Sequence, residues 1–270
     1  MDILGIGDNT IDIYIDEGIC FPGGNAVNVA VMTRRLGANS SYIGCIGKDK
    51  YGNLIKTSLE KENVDISFLK TVNGDTPWSI VKHTNSDRYF HSSSPGVRGK
   101  YDITNNMIDF ISNHKLAHTS IYSDLENFLD IIRKNIEILS FDFSDKFQNY
   151  DLYEYCKYMD IVFLSGAKLK KDQVDYYLNK VIDYGVKIVI MTLGTKGSIC
   201  LYNNNYYHQS KIDCEVIDTL GAGDGYISAF LLSYLNKDNI NTSLNKSAFY
   251  AKMVCGYMGG YGHKTKYPLS

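Results

Sequence analysis

The most informative stretch of the chain reads Asp218-Thr-Leu-Gly-Ala-Gly-Asp224 and continues as Gly225-Tyr-Ile-Ser-Ala-Phe-Leu-Leu232. Gly221, Ala222 and Gly223 carry almost no side-chain bulk, so an anion can approach the backbone there closely. The apolar run that follows predicts a helix, and the first amide groups of a helix have no partners within it. The stretch therefore predicts an anion-binding site at the start of a helix.

Asp224 is the unexpected residue of this stretch. A carboxylate repels a bound polyphosphate, so its presence beside an anion site indicates a chemical role. The obvious role is to take a proton from the hydroxyl that attacks the phosphorus. An Asp in the first turn of an ordinary helix is the alternative, because the helix dipole favours negative charge there. On this stretch alone, both interpretations stay open.

Along the whole chain, short apolar runs alternate with longer helical patterns, which is typical of strands joined by crossover helices. The predicted fold class is α/β, and residues 1–270 are predicted to form a single domain, since the length and the 44% hydrophobic composition suit one core. The predicted elements of this domain are strands at 3–6, 41–46, 117–121, 138–143, 161–164 and 187–192, helices at 25–36 and 53–61, a hairpin at 198–207 and a helix that begins near 224.

After Val64 the helical pattern stops. Segments 78–83 and 88–92 are predicted as two strands around the turn Asn85-Ser86-Asp87, and with segment 11–15 they are predicted to form a small separate sheet. The tail from Gly262 to Ser270 is expected to fray.

Composition excludes several classes of function. The formal net charge is −2, and no basic block exceeds a few residues, so neither nucleic acid nor an anionic membrane is an expected partner. The six cysteines contain no Cys-x-x-Cys pair, which favours a reducing cytoplasm over a disulfide framework. The N-terminus has no run of signal-peptide type, and no stretch approaches the length of a membrane span.

A second glycine-led helix start, Gly23-Gly-Asn-Ala-Val-Asn-Val-Ala30, precedes Gly37 and Gly47. In order and separation, this segment and the stretch 218–224 resemble the two signatures of the ribokinase and phosphofructokinase-B (PfkB) family of carbohydrate kinases. The resemblance implies a ribokinase-like fold, in which helices flank a mostly parallel central sheet and a small β lid, formed here by residues of about 11–22 and 76–95, covers the sugar. It also implies ATP as phosphoryl donor, with Asp224 as general base.

The resemblance narrows to the fructoselysine 6-kinase branch of that family. It rests on four stretches, which read Gly7-Asp-Asn-Thr-Ile-Asp-Ile-Tyr14, Gly23-Gly-Asn-Ala-Val-Asn-Val-Ala-Val31, Ser86-Asp-Arg-Tyr-Phe90 and Phe141-Asp-Phe-Ser-Asp-Lys146. It implies phosphorylation of the 6-hydroxyl of fructoselysine or a related fructosyl-amine. Two alternatives stay open, namely another sugar or nucleoside kinase of fructokinase type and a non-catalytic sugar-binding regulator on the same scaffold.

Sugar recognition requires donors and acceptors fixed at the ends of rigid elements, because a polyol offers only hydroxyls. By resemblance, the substrate-binding residues are Asp12, Gly24, Asn25, Asn28 and Arg88. The competing interpretations are an ordinary surface residue for Asp12, a polar residue satisfied by a neighbouring turn for Asn28, and an exposed lid residue for Arg88. An exposed edge of the lid sheet also offers a route to a homodimer.

The segment Thr192-Leu-Gly-Thr-Lys-Gly197 follows a predicted strand at the carboxyl edge of the sheet, where ligands of open α/β folds bind. By resemblance, Thr192, Gly194 and Gly197 contact the nucleotide; a plain turn between two strands is the alternative. Magnesium is expected to enter with ATP. Many family members carry Asn-x-x-Glu where this chain has Ser165-Gly-Ala-Lys168, so no residue is assigned to the metal.

Other motifs fail on spacing. Gly44-Cys-Ile-Gly-Lys-Asp49 has the wrong glycine spacing for a P-loop and an Asp where the magnesium-binding hydroxyl belongs. The dinucleotide fingerprint lacks its third glycine after Gly7. His114 and His118 lack the Glu that a zinc-binding helix would place after the first histidine, so they are predicted to be solvent or core histidines.

Overall fold

A computed structural model describes residues 1–83 and 88–268 of the chain, apart from the side chains of His83 and Arg88. The predicted turn at 85–87 lies outside the described residues. The strands are β1 (Asp2–Gly7), β2 (Thr10–Tyr14), β3 (Ile19–Gly23), β4 (Asn39–Gly47), β5 (Leu69–Val72), β6 (Trp78–His83), β7 (Arg88–Ser94), β8 (Leu116–Ser120), β9 (Ile138–Asp142), β10 (Ile161–Ser165), β11 (Ile188–Thr192), β12 (Ser198–Tyr202), β13 (Asn205–Gln209) and β14 (Thr265–Lys266). The α-helices are α1 (Asn25–Arg35), α2 (Lys50–Lys61), α3 (Asn105–Ser112), α4 (Leu129–Lys134), α5 (Leu152–Cys156), α6 (Lys171–Asp183), α7 (Ala222–Leu235) and α8 (Ile240–Val254).

The large sheet has nine strands in the order β13-β12-β11-β10-β9-β8-β1-β4-β5. Pairing is parallel from β11 to β5 and antiparallel only at β12 and β13. Helices cover both faces, so strand residues are buried whichever way they point. The neighbours Ile3 and Leu4 are both fully buried and belong to different core clusters: that of Ile3 includes residues of α1, α7 and α8, and that of Leu4 includes residues of α3, α4 and α6. Each such side chain contributes about 1.5–3 kcal/mol of hydrophobic burial.

The predicted α/β class and mostly parallel sheet are confirmed, with small shifts at element ends. α2 begins at Lys50 rather than at Asn53 because the Asp49 carboxylate accepts a hydrogen bond from the Gly52 amide at 2.7 Å and caps the helix. The strand β5 pairs in parallel with β4 and was not predicted. Its residues are only partly buried, so their hydrophobic pattern is weak.

The small sheet has the strand order β14-β3-β2-β6-β7. Its strands β2, β6 and β7 lie where strands were predicted. The prediction that the tail from Gly262 frays is wrong for the described residues up to 268, because Thr265 and Lys266 pair with Cys20 and Ile19 of β3. Tyr267 also stacks against Tyr51 of α2, with ring centroids 6.4 Å apart.

The parallel strands share one carboxyl edge. Five polar residues lie there at or directly after the ends of β1, β8, β9, β10 and β11, namely Asp8, Ser120, Asp142, Ser165 and Thr192. Ligands of open α/β sheets bind at this edge. Among the helices described, none combines the length and the apolar character that crossing a bilayer requires.

Candidate active site

The predicted anion site lies at the start of α7. Gly221 adopts φ 79° there, and a Cβ at this position would lie 2.8 Å from the Gly260 Cα, so only glycine fits. Within the described part of the chain, the amides of Gly223 and Asp224 donate no hydrogen bond, and Gly223 is exposed. Two backbone donors at a helix N-terminus therefore remain available to an anion.

The Asp224 carboxylate is held between two amides of α1. Asn28 Nδ2 donates to Oδ2 at 2.5 Å, and Asn25 Nδ2 donates to Oδ1 at 2.7 Å. The two asparagines lie three positions apart and so share one helix face. The structure thus brings Asp224 to two other predicted site residues, which lie 196 and 199 positions earlier in the chain.

The surroundings of Asp224 disfavour its charged form. Burial raises the pKa of this carboxyl well above its ordinary value, the donor Asn28 opposes that shift, and the nearby carboxylates of Asp142 and Asp8 raise the pKa further. Part of the residue remains open to solvent at the edge of the sheet. A carboxylate with a raised pKa is a stronger base, and such groups cluster at functional sites.

A second layer of polar side chains lies behind Asn25. Its Nδ2 also donates to Asp142 Oδ2 at 2.9 Å, and its Oδ1 lies 2.9 Å from His118 Nε2. His118 Nδ1 lies 2.7 Å from the Ser140 hydroxyl. Burial raises the pKa of Asp142 to about 7 and lowers that of His118 to about 3, so the histidine is neutral.

Asp142 was missed as a site residue by the sequence analysis. The signal that indicates it is an acidic residue at the end of a buried strand, which lies at the carboxyl edge of the sheet. His118 is a core histidine, as predicted, since it is fully buried on β8. Its contact with Asn25 depends on the sheet order, which places β8 beside β1.

Asp8 organises the start of α1. Its carboxylate accepts from the amides of Asn25 at 2.6 Å and Ala26 at 3.3 Å, and from the hydroxyls of Ser120 at 2.8 Å and Ser123 at 3.0 Å. Because these donors occupy its oxygens, Asp8 caps the helix that carries both asparagines.

The predicted sugar side contains Asp12 and Asn28. Asp12 is buried on β2, and a Cβ on Gly23 would lie 2.3 Å from its Oδ2. Asn28 Oδ1 is buried and accepts no hydrogen bond from any described residue. A buried acceptor of this kind needs a partner, which a sugar hydroxyl would supply. Gly24 adopts φ 115° at the N-cap of α1, and the Arg88 side chain lies outside the described residues.

The predicted nucleotide loop turns back directly after β11. Thr192 ends that strand, Gly194 adopts φ 60°, and Gly197 adopts φ 90°, where a Cβ would lie 2.0 Å from the Gln209 carbonyl oxygen. The Ser198 and Tyr226 hydroxyls lie 2.7 Å apart, which ties the loop to the first turns of α7. The loop and the anion site are therefore neighbours.

Ser165 ends β10, and Lys168 follows it as an exposed residue. A hydroxyl and an ammonium group do not fit a magnesium ion, which prefers carboxylate oxygens. The described residues contain no group of three or more His, Cys, Asp or Glu side chains that could hold a metal. Lys168 forms no ion pair within the described chain.

Known proteins resemble the chain over most of its length. The model of the pfkB family carbohydrate kinases matches residues 9–127 and 156–266. Fructosamine kinase FrlD of Bacillus subtilis (strain 168) is 36% identical over 273 residues, which cover 100% of this chain and 96% of that protein. Fructoselysine 6-kinase of Escherichia coli (strain K12) is 32% identical over 229 residues, which cover 85% of this chain and 87% of that protein.

The solved structure of Arabidopsis thaliana ribokinase complexed with ribose and ATP superimposes with a TM-score of 0.82 at 18% identity, covering 96% of this chain and 94% of that one. At this identity the likeness concerns the fold, and it confirms the predicted ribokinase-like architecture.

Proposed function

This chain belongs to the pfkB family of carbohydrate kinases, and we propose that it transfers a phosphoryl group from ATP to the 6-hydroxyl of fructoselysine or a related fructosyl-amine. The observation that carries the catalytic part of the proposal is the position of Asp224, held by Asn25 and Asn28 beside two free backbone amides. Support for the substrate comes from the two relatives named for fructosamine and fructoselysine.

In the proposed reaction, the sugar hydroxyl donates its hydrogen bond to the Asp224 carboxylate, whose oxygens each keep a second lone pair. The hydroxyl oxygen forms a bond to the γ-phosphorus, the bond between that phosphorus and the bridging oxygen breaks, and ADP leaves. The hydroxyl proton passes to Asp224 and then to solvent. The amides of Gly223 and Asp224 donate to the phosphoryl oxygens as charge moves.

The donor side of the proposal rests on backbone geometry. Thr192, Gly194 and Gly197 shape the turn that would hold the nucleotide phosphates next to α7. ATP enters as its magnesium complex, and the ion is assigned no protein ligand because Ser165 and Lys168 do not fit it.

On the acceptor side, Asp12 and Asn28 would bind sugar hydroxyls, and Gly24 would let the sugar approach the backbone. The small sheet would serve as the lid. Its edge strand β7 exposes 45% of Tyr89 and 57% of Phe90, and a second copy would pair with this edge in a homodimer. A cytosolic location completes the proposal, supported by six cysteines that are free thiols in the described chain.

The substrate is tested by ADP release from ATP with fructoselysine, fructose, ribose and adenosine in parallel. Fructoselysine is expected to give the highest kcat/KM. A higher value with fructose or adenosine would reject the substrate proposal. Sugar-dependent thermal stabilisation without ADP release from any of the four would reject catalysis and favour a regulator.

A further inference from the structure

Both N–H groups of the Asn25 side chain are directed to protein groups. One N–H bond of its amide points to Asp142 at 2.9 Å, the other to Asp224 at 2.7 Å, and its oxygen faces His118 at 2.9 Å. A primary amide has two donor hydrogens. Asn25 thus has no hydrogen left for a sugar hydroxyl, in contrast to Asn28, whose oxygen is unsatisfied among the described residues.

We infer that Asn25 couples two carboxylates rather than binding sugar, and that Asp142 and His118 are positioning residues that act on Asp224 through it. This inference rests on the proposed role of Asp224. The two carboxylates accept from Nδ2 and so direct the Asn25 oxygen toward His118. An Asn oxygen can only accept, so His118 Nε2 carries the hydrogen, and a neutral ring with that tautomer accepts at Nδ1 from Ser140.

The coupling has a chemical consequence. Two carboxylates that share one amide group and little water repel each other, so each makes the other harder to ionise. Asp142 is almost fully buried, and its second oxygen accepts from the Ser144 amide at 2.8 Å, which prevents it from turning away. Asp142 therefore keeps Asp224 a stronger base than an isolated carboxylate would be.

Other charged or titratable groups surround this pair of carboxylates. Asp8 follows β1, Asp12 lies on β2 across Gly23 from Asn28, and Asp145 and Tyr122 face Asp142. Asp8 accepts from four donors, none of which is residue 142, so we expect it to keep its position when Asp142 is replaced. Replacing Asp142 is therefore the change that isolates the coupling.

The test is a carbon-13 NMR titration of aspartate-labelled protein without ligands, with the Asp224 signal assigned by its loss in Asp224→Asn. In Asp142→Asn, the Asp224 midpoint is expected to fall by about one pH unit or more. In the control Asp145→Asn, which changes a carboxylate whose side chain is 61% exposed, the midpoint is expected to stay within about 0.3 unit. An unchanged midpoint in Asp142→Asn would overturn the coupling. The titration requires no turnover, so its result is independent of whether fructoselysine is the substrate.

A second pair of variants keeps the inference testable if Asp142→Asn does not fold. His118→Gln retains an N–H donor for the Asn25 oxygen, whereas His118→Leu removes it. His118→Leu is expected to lower kcat by about tenfold with an unchanged KM for the sugar, and His118→Gln to recover most of that loss. A rise in the sugar KM with kcat unchanged in His118→Leu would instead assign Asn25 to sugar binding and overturn the inference.

Discussion

The two halves of the candidate site differ in the groups that form them: buried side chains on the acceptor side, and backbone with exposed lysines on the donor side. The acceptor half is formed by the mostly buried residues Asp8, Asn25, Asn28, Asp142 and Asp224. The side chains of the last four bond to one another at 2.5–2.9 Å, and the Asp8 carboxylate accepts from the Asn25 backbone amide at 2.6 Å. The donor half is formed by residues 165–168, 192–197 and 221–223. It consists of backbone turns that contain glycines with positive φ, and of exposed lysines.

This difference predicts that the two halves affect different steps, the acceptor half the chemical step and the donor half nucleotide binding. A buried network fixes the direction of each group, so its loss is expected to affect the chemical step. The exposed lysines of the donor half supply charge neutralisation to the ATP polyphosphate, so changes to these lysines are expected to affect nucleotide affinity more than turnover.

The largest effect is expected for Asp224→Asn. A general base contributes about 10²–10⁴-fold to the rate, so kcat should fall by at least about two orders of magnitude while sugar and ATP still bind. Steady-state ADP release measures it. Asp218→Asn is the matched control, since this acid accepts from Tyr14 and from the Leu220 and Gly259 amides and holds the turn before the anion site. Asp218→Asn should mainly lower the melting temperature, with only a small loss of kcat.

The next effect concerns stability and pH. Folding raises the pKa of Asp142 from 3.8 to about 7, so between these values the folded protein binds more protons than the unfolded chain. Stability from this group is therefore greatest below about pH 4 and declines as pH rises toward 7, by about 1.4 kcal/mol for each unit of pKa shift. Urea unfolding at pH 5.0 and 7.5 should show a smaller decline in Asp142→Asn than in the wild type. An equal decline in both proteins would contradict the burial of this charge.

A moderate effect is expected in the donor half. Lys168→Glu places a negative charge beside the turn at 192–197 and should raise the KM for ATP by about 3–10-fold with kcat nearly unchanged. Lys56→Glu makes the same charge change on an exposed residue of α2 and serves as the control. A similar rise in both variants would show that only net charge matters.

The smallest effect concerns the small sheet. Trp78, the chain's single tryptophan, lies partly buried on β6, beside Ile11 of β2. If this sheet closes over the sugar, its fluorescence should change when sugar is added without nucleotide. A constant spectrum at saturating sugar would argue against closure or against the place of Trp78 in it.

The sequence predicts well what local patterns determine. The two glycine-led helix starts and the parallel strands follow from local patterns, and a shared site for Asn25, Asn28 and Asp224 follows from the family resemblance. The rule that ligands bind at the carboxyl edge of the sheet places the segment 192–197 near a ligand. The contacts behind Asn25 do not follow in this way, because Asp142 and His118 reach Asn25 only through the order of β1, β8 and β9 in the sheet. Sequence spacing carries no record of that order.

The tail and β5 escaped prediction for a similar reason. Thr265 and Lys266 form a strand only because the edge of β3 is available to them, and β5 only because β4 is. Their own hydrophobicity is too low to mark them. Strand pairing across the chain, not local propensity, decides such short segments.

The division between the halves is tested most directly by measuring the dissociation constant for ATP and the kcat of Asp224→Asn and Lys168→Glu side by side. The two variants are expected to show opposite effects: Asp224→Asn loses kcat by about 100-fold or more and retains ATP binding, whereas Lys168→Glu weakens ATP binding by about 3–10-fold and retains kcat. The same pattern in both variants, or an Asp224→Asn enzyme that keeps more than about a tenth of wild-type kcat, would contradict it.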